Sequence, residues 1–193
     1  MNQTEAAVTL MSFIFALSIT HLLQSLRDLW VDHNRVRPSA SMLIWMATLL
    51  VYTFLAWFAT THQTEHGMTS AQVGLKLVAA VVTYFSCAVG SPKVPETGIL
   101  DLADYENRRG AGFKVPVLFM MALSLVLNYD MRSQDAGHGL TMAEFLPSQW
   151  IVAAPVLVAV VSLWRREPWV RTICAVTLLA VATWVFLSNI DLV

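Results

Sequence analysis

Four polar side chains in the first apolar run stand at helical spacing. Ser18, His21, Ser25 and Asp28 are separated by three, four and three residues and share one face of an α-helix. Thr20, Gln24 and Arg27 lie on the adjoining face. An imidazole changes charge near neutral pH and also ligates metals, which makes His21 a candidate proton carrier or a ligand for metal or haem. Polar groups that face lipid are costly. The stripe Ser18, His21, Gln24, Ser25 and Asp28 is therefore expected to turn into a helix bundle as a binding surface. The competing reading is hydrogen bonding between helices. Bis-histidine haem is disfavoured, because no other histidine falls at the same depth in another apolar run.

A second group of candidates lies at the opposite ends of the runs. His62, Glu65 and His66 are spaced to share a helical face, and His138 lies with Asp130 and Asp135 in another polar segment. Imidazole and carboxylate together suit zinc or copper; the alternative is a solvated loop. Lys76 falls inside the third apolar run, where its long side chain is expected to snorkel outward. Cys87 and Cys174 sit in apolar runs and read as small buried hydrophobes. No serine elbow, phosphate-binding loop, dinucleotide fingerprint or zincin motif is present, and no cofactor is implied.

The elements that must position these residues are set by composition. The chain has 193 residues, 56% of them hydrophobic and 13% charged, with a mean hydropathy of +0.59. Soluble domains carry about 25% charged residues, so a water-facing surface cannot be built from this sequence. A net charge of −1 and the lack of lysine–aromatic interleaving exclude a nucleic-acid groove. Crossing a bilayer takes about 20 apolar residues per helix. Six runs approach that length: 6–26, 41–61, 71–90, 113–129, 148–164 and 169–190. The expected fold is an all-α polytopic membrane protein, a single bundle of six transmembrane helices. Pro147 and Pro168 precede runs five and six, where a helix start tolerates a missing N–H. Most tryptophans, among them Trp30, Trp164 and Trp169, lie close to run ends, the depth of the lipid headgroups.

Ten of the twelve lysines and arginines fall in the segments after runs one, three and five or in the first residues of the runs that follow them. The positive-inside bias places those segments in the cytoplasm and both termini on the far side. Between runs three and four, DLADYENRRG reads as a short juxtamembrane helix, capped by Asp101 and ended by Gly110. Its Tyr105, Arg108 and Arg109 are candidates for contact with anionic lipid or a partner.

The thirteen acidic residues are all absent from the middles of the runs, and of eight glycines only Gly74 is well inside one. Coupled carriers commonly place an ionisable residue or an unwound helix at mid-membrane, and neither is signalled here. The segments ITHLLQSLRDLW and LDLADYENRRGAGF resemble a loosely defined group of small, uncharacterised bacterial inner-membrane proteins. That resemblance implies a bacterial origin and no activity; in a bacterial cytoplasmic membrane the charge bias then puts both termini in the periplasm. The leading functional expectation is a non-catalytic accessory, scaffolding or signalling module acting through lipid or partners, as a homo-oligomer or a subunit of a membrane complex. The alternatives are a small homo-oligomeric channel or transporter with a path along the Ser18–Asp28 stripe, and a membrane enzyme using His21.

Overall fold

A computed structural model describes residues 3–62, 69–135, 150–164 and 167–190. Apart from one 3-10 turn and two strands of two residues each, the described elements are α-helices. They are α1 (Gln3–Val31), α2 (Ala40–His62), α3 (Ser70–Val89), α4 (Leu102–Asp135), α5 (Trp150–Trp164) and α6 (Pro168–Ile190). Four stretches are long and apolar enough to cross a membrane: Glu5–Val31, Ala40–Thr60, Ser70–Val89 and Pro168–Val185.

Each helix buries a narrow seam. In α1 it runs Met11, Phe15, Ser18, Leu22, Ser25 and Leu29, all buried. The alternating steps of four and three keep one face toward its neighbours. The seam of α3 runs Lys76, Ala80, Thr83 and Cys87, and that of α4 runs Leu102, Glu106, Phe113, Val117 and Met120. α1 packs on α3 and α2, α3 on α4, α4 on α5, and α6 on both α5 and α2. The larger core cluster centres on Trp45, Met46, Leu49, Phe113 and Leu178. A smaller one joins Met11, Phe15 and Ala80 at the other end of α1 and α3. Outside the seams the bundle is apolar. Only 17% to 33% of the residues in the four spanning windows are buried, and Phe13, Phe85, Phe119, Leu157 and Trp184 are exposed. Such a surface suits hydrocarbon rather than water.

The segment read as a separate juxtamembrane helix is instead the opening of α4. Asp101 does cap it, accepting hydrogen bonds from the amides of Ala103 (2.9 Å) and Asp104 (3.1 Å). Gly110 does not end it, and the helix continues through Gly112 and Pro116. Pro116 thus lies well inside a helix rather than in a first turn, and its ring deprives the Gly112 carbonyl of the usual donor. Gly112 serves packing instead. A Cβ on Gly112 would come within 3.0 Å of Val89 Cγ1, so the bare backbone is what lets α4 approach α3.

The connections after α1 and α3 are joined. Strand β1 (Val36–Arg37) pairs in parallel with β2 (Leu100–Asp101), in the register Val36 with Leu100 and Arg37 with Asp101. Arg35 donates to the carbonyl of Pro95. Ser25 of α1 donates to the carbonyl of Pro92 at 2.7 Å, and Tyr105 of α4 donates to that of Val89 at 2.6 Å. Gly98 turns this loop with φ of +96°, a conformation that L side chains rarely adopt. The start of α6 reaches the same end of the bundle, where Arg171 donates to Asn107 Oδ1 at 2.5 Å.

Candidate functional site

The starts of α2, α4 and α6 meet around a polar corner. Glu106 stands on the buried seam of α4, and Lys114 lies eight residues further along the same helix, about 12 Å of rise. Helical side chains lean toward the N-terminus, so the long lysine stem reaches back to the glutamate. Its Nζ lies 2.6 Å from Glu106 Oε1, with both side chains at most 3% exposed. Gly110 sits between them, and a Cβ there would meet only Glu106 Cγ and the end of Lys114, at 3.6 to 3.9 Å. From α2, Ser41 donates to the same carboxylate oxygen at 3.1 Å. The ammonium also lies 5.1 Å from the centre of the Trp45 ring and 5.8 Å from that of Phe113. A buried charge pair is tolerated when its remaining bonding capacity is used, and here the hydroxyl and the two ring faces use it.

Above this pair lies a cavity of about 170 Å³ lined by Ser39, Ser41, Glu106, Asn107, Arg171 and Thr172, among others. Two helices start beside it. In α2 the first helical bond runs from Leu43 N–H to Ser39, and in α6 from Arg171 N–H to Glu167. The amides of residues 40–42 and 169–170 therefore lack acceptors within their own helices. One turn below Ser41, the buried indole N–H of Trp45 has no hydrogen-bond partner.

The predicted stripe of α1 divides. Ser18 and Ser25 are buried, but their hydroxyls are committed to the carbonyls of Ile14 (2.9 Å) and Pro92 (2.7 Å). His21 is half-buried, with Nε2 3.3 Å from the hydroxyl of Tyr84 on α3. Gln24 and Asp28 are exposed, contrary to the expectation that they turn inward. The buried seam advances by alternating threes and fours through Leu22 and Leu29, and that rotation leaves Gln24 and Asp28 off its edge. Of the candidates on α4, Arg108 and Arg109 are exposed, and Arg108 pairs with Asp104 at 3.0 Å. Tyr105 turns inward to Val89, and burial raises its phenol pKa above the usual value despite the opposing charge of Arg109. Lys76 does not snorkel. It is buried in the seam of α3 and its ammonium has no hydrogen-bond partner.

Glu65, His66, His138 and the side chain of His62 lie outside the described residues. Among the described residues no group of three or more His, Cys, Asp or Glu converges as a metal site. Cys87 and Cys174 are free and buried.

Sequence reading missed the Glu106–Lys114 pair, Ser41 and the Asn107–Arg171 contact. The charge distribution assigns Lys114 and Arg171 only to the basic ends of the runs. The available signal was the seam register of α4, which places Glu106 in line with Leu102 and Gly110 and carries Lys114 beside Phe113. No protein-family profile, curated protein or solved structure matches the chain.

Proposed function

We propose that the chain is a six-helix module of a bacterial cytoplasmic membrane, with both termini periplasmic, that acts without catalysis as an accessory, scaffolding or signalling subunit. Its working surface is the basic cytoplasmic end, which engages anionic lipid or a partner. In this reading α4 and α5 cross the bilayer as the other four helices do, and the charged opening of α4 stands at the membrane surface.

The observation that carries the reading is the joining of the three basic segments at one end of an otherwise apolar bundle. β1 pairs with β2, and Arg171 bonds Asn107. Arg27, Arg37, Lys93, Arg108 and Arg109 remain exposed around that end. Basic groups beside an anionic leaflet gain about 1 kcal/mol each. The polar groups inside the bundle are spent on structure: Ser18 and Ser25 bond carbonyls, and His21 has Tyr84. This gives less support to a transport path along α1, and less to an enzyme built on His21.

The test is reconstitution into sealed liposomes with ion- and pH-sensitive dyes. Leak equal to that of empty vesicles is expected; flux above it removes the reading. A photo-crosslinker at position 108 should then give discrete lipid or protein adducts in native membranes, and one at the apolar position 85 should give only lipid.

A further inference from the structure

The face of α1 that points away from the bundle differs in chemistry from the lipid-facing surface around it. We propose that this face is the contact between two copies of the chain. α1 packs on α1 of the second copy about a two-fold axis along the membrane normal, with Gln24 at the contact. The inference extends the proposed function to its oligomeric form and rests on that reading for the common sidedness of every copy.

The helix carries two seams of one period. The inner seam, from Met11 to Leu29, is committed to the bundle. Phe13, Leu17, Thr20, Gln24, Arg27 and Val31 repeat its alternation of four and three, displaced by two residues, which is about half a turn. All six are exposed, and helices pair through seams of this period. Other helices turn hydrocarbon outward: Val78, Val81 and Phe85 on α3, and Ile173 and Val176 on α6. Gln24 is the one exposed amide side chain among the described residues of the four apolar stretches. Arg27 and Asp28 stand at the inner headgroup boundary, and Gln24 lies about 5 Å deeper along the axis. Thr20 is one turn deeper still, but its hydroxyl donates to the carbonyl of Ala16 at 2.8 Å and so suits lipid. The Gln24 amide has no hydrogen-bond partner among the described residues. Leaving an amide unpaired in hydrocarbon is costly, and membrane helices satisfy such groups across helix contacts.

Self-complementarity selects the occupant. Copies inserted with one sidedness present parallel α1 helices, and a two-fold axis sets equal depths opposite each other. Each group on the contact must therefore pair with its own kind. A primary amide does, because its carbonyl accepts from the counterpart's NH2 and its NH2 donates in return. Arg27 and Asp28 do so as a pair, since neighbours of opposite sign exchange partners across the axis. Within one copy they barely meet, at 3.9 Å with side chains 75% and 52% exposed. Ala16 and Thr20, both exposed, are small enough to let two helices approach closely beside Gln24.

The experiment uses the full chain in membranes, with Cys87 and Cys174 replaced by serine. Under copper-phenanthroline, Thr20→Cys should give a disulfide-linked dimer, and Val176→Cys on the outward face of α6 should stay monomeric. Wild type, Gln24→Leu and Gln24→Asn are then compared by single-molecule photobleaching of labelled chains diluted into lipid bilayers. Gln24→Leu removes no hydrogen bond within one copy, so its unfolding midpoint should match wild type. Its dimer should weaken about three- to thirtyfold, the effect of one interhelical hydrogen-bonded pair. Gln24→Asn keeps a self-pairing amide and should weaken the dimer less. Chains that stay monomeric at high protein-to-lipid ratio overturn the inference. So does equal crosslinking at positions 20 and 176, or a Gln24→Leu dimer as tight as wild type. A crosslink from position 20 to a different protein overturns the second copy as occupant. None of these results alters the sidedness of the chain. Flux through liposomes removes the functional reading without touching the crosslinking result.

Discussion

The buried pair in α4 makes the sharpest quantitative prediction. Lys114→Met leaves the Glu106 carboxylate 2% exposed, with only the Ser41 hydroxyl as donor. Removing one partner of a buried ion pair costs about 3–5 kcal/mol, because the other charge stays buried without compensation. Glu106→Gln is expected to cost less, about 2–4 kcal/mol. Glutamine still accepts from Ser41, and the stranded ammonium keeps the Trp45 face, an interaction of about 0.5–2 kcal/mol. The double variant removes both buried charges and should lie within about 1 kcal/mol of wild type. The cycle therefore predicts a coupling of at least about 4 kcal/mol, far above that of an exposed i,i+4 pair such as Asp104–Arg108, about 0.3–0.5 kcal/mol. Reversible unfolding in mixed micelles, with dodecyl sulfate as the denaturant and tryptophan fluorescence as the signal, measures all four proteins. Single-variant losses below 1 kcal/mol that simply add would refute the reasoning, since they would mean that water already solvates both charges.

Other perturbations follow from the same packing. A Cβ at Gly90 would come within 2.6 Å of Leu49 Cδ1 and 2.9 Å of the Ser86 carbonyl, so Gly90→Ala should cost about 1–3 kcal/mol in the same unfolding assay. Gly74 has nothing within 4 Å of that position, and Gly74→Ala should instead gain up to about 1 kcal/mol of helix stability. Ser25→Ala strands the buried Pro92 carbonyl; it should cost about 1–3 kcal/mol and speed hydrogen exchange in residues 93–99 while leaving α3 protected. Lys76→Met removes a buried ammonium with no hydrogen-bond partner among the described residues and should raise the unfolding free energy by about 1–3 kcal/mol, whereas a lysine that reaches solvent would leave it unchanged.

Helix positions were largely legible in the sequence because the apolar runs are long and end in charge or proline. The runs 41–61, 71–90 and 169–190 correspond to Ala40–His62, Ser70–Val89 and Pro168–Ile190. The charged opening of α4 was legible as helix but not as part of the next run. Gly110 and Gly112 carry the usual signal of a stop, and only the tertiary approach of Val89 shows the use of Gly112 in packing. The site was less legible for three physical reasons. An i,i+8 pair exists because the long lysine stem reaches back two turns, and the i,i+4 rule does not anticipate it. Parallel strands two residues long have no periodicity to read. The polar stripe of α1 was assigned a single face from coarse helical spacing. Buried Leu22 and Leu29 reveal a narrower seam that keeps Ser18 and Ser25 and leaves out Gln24 and Asp28.

The sidedness of the bundle is the central claim, and accessibility labelling tests it most directly. With Cys87 and Cys174 replaced by serine, single cysteines at the exposed positions Asn34, Thr97 and Glu167 report the three basic connections, and tags report the chain ends. A membrane-impermeant maleimide applied to the outer face should miss all three cysteines, while both tags are reached. Labelling of any one of the three from outside, or tags on opposite faces, would contradict the account.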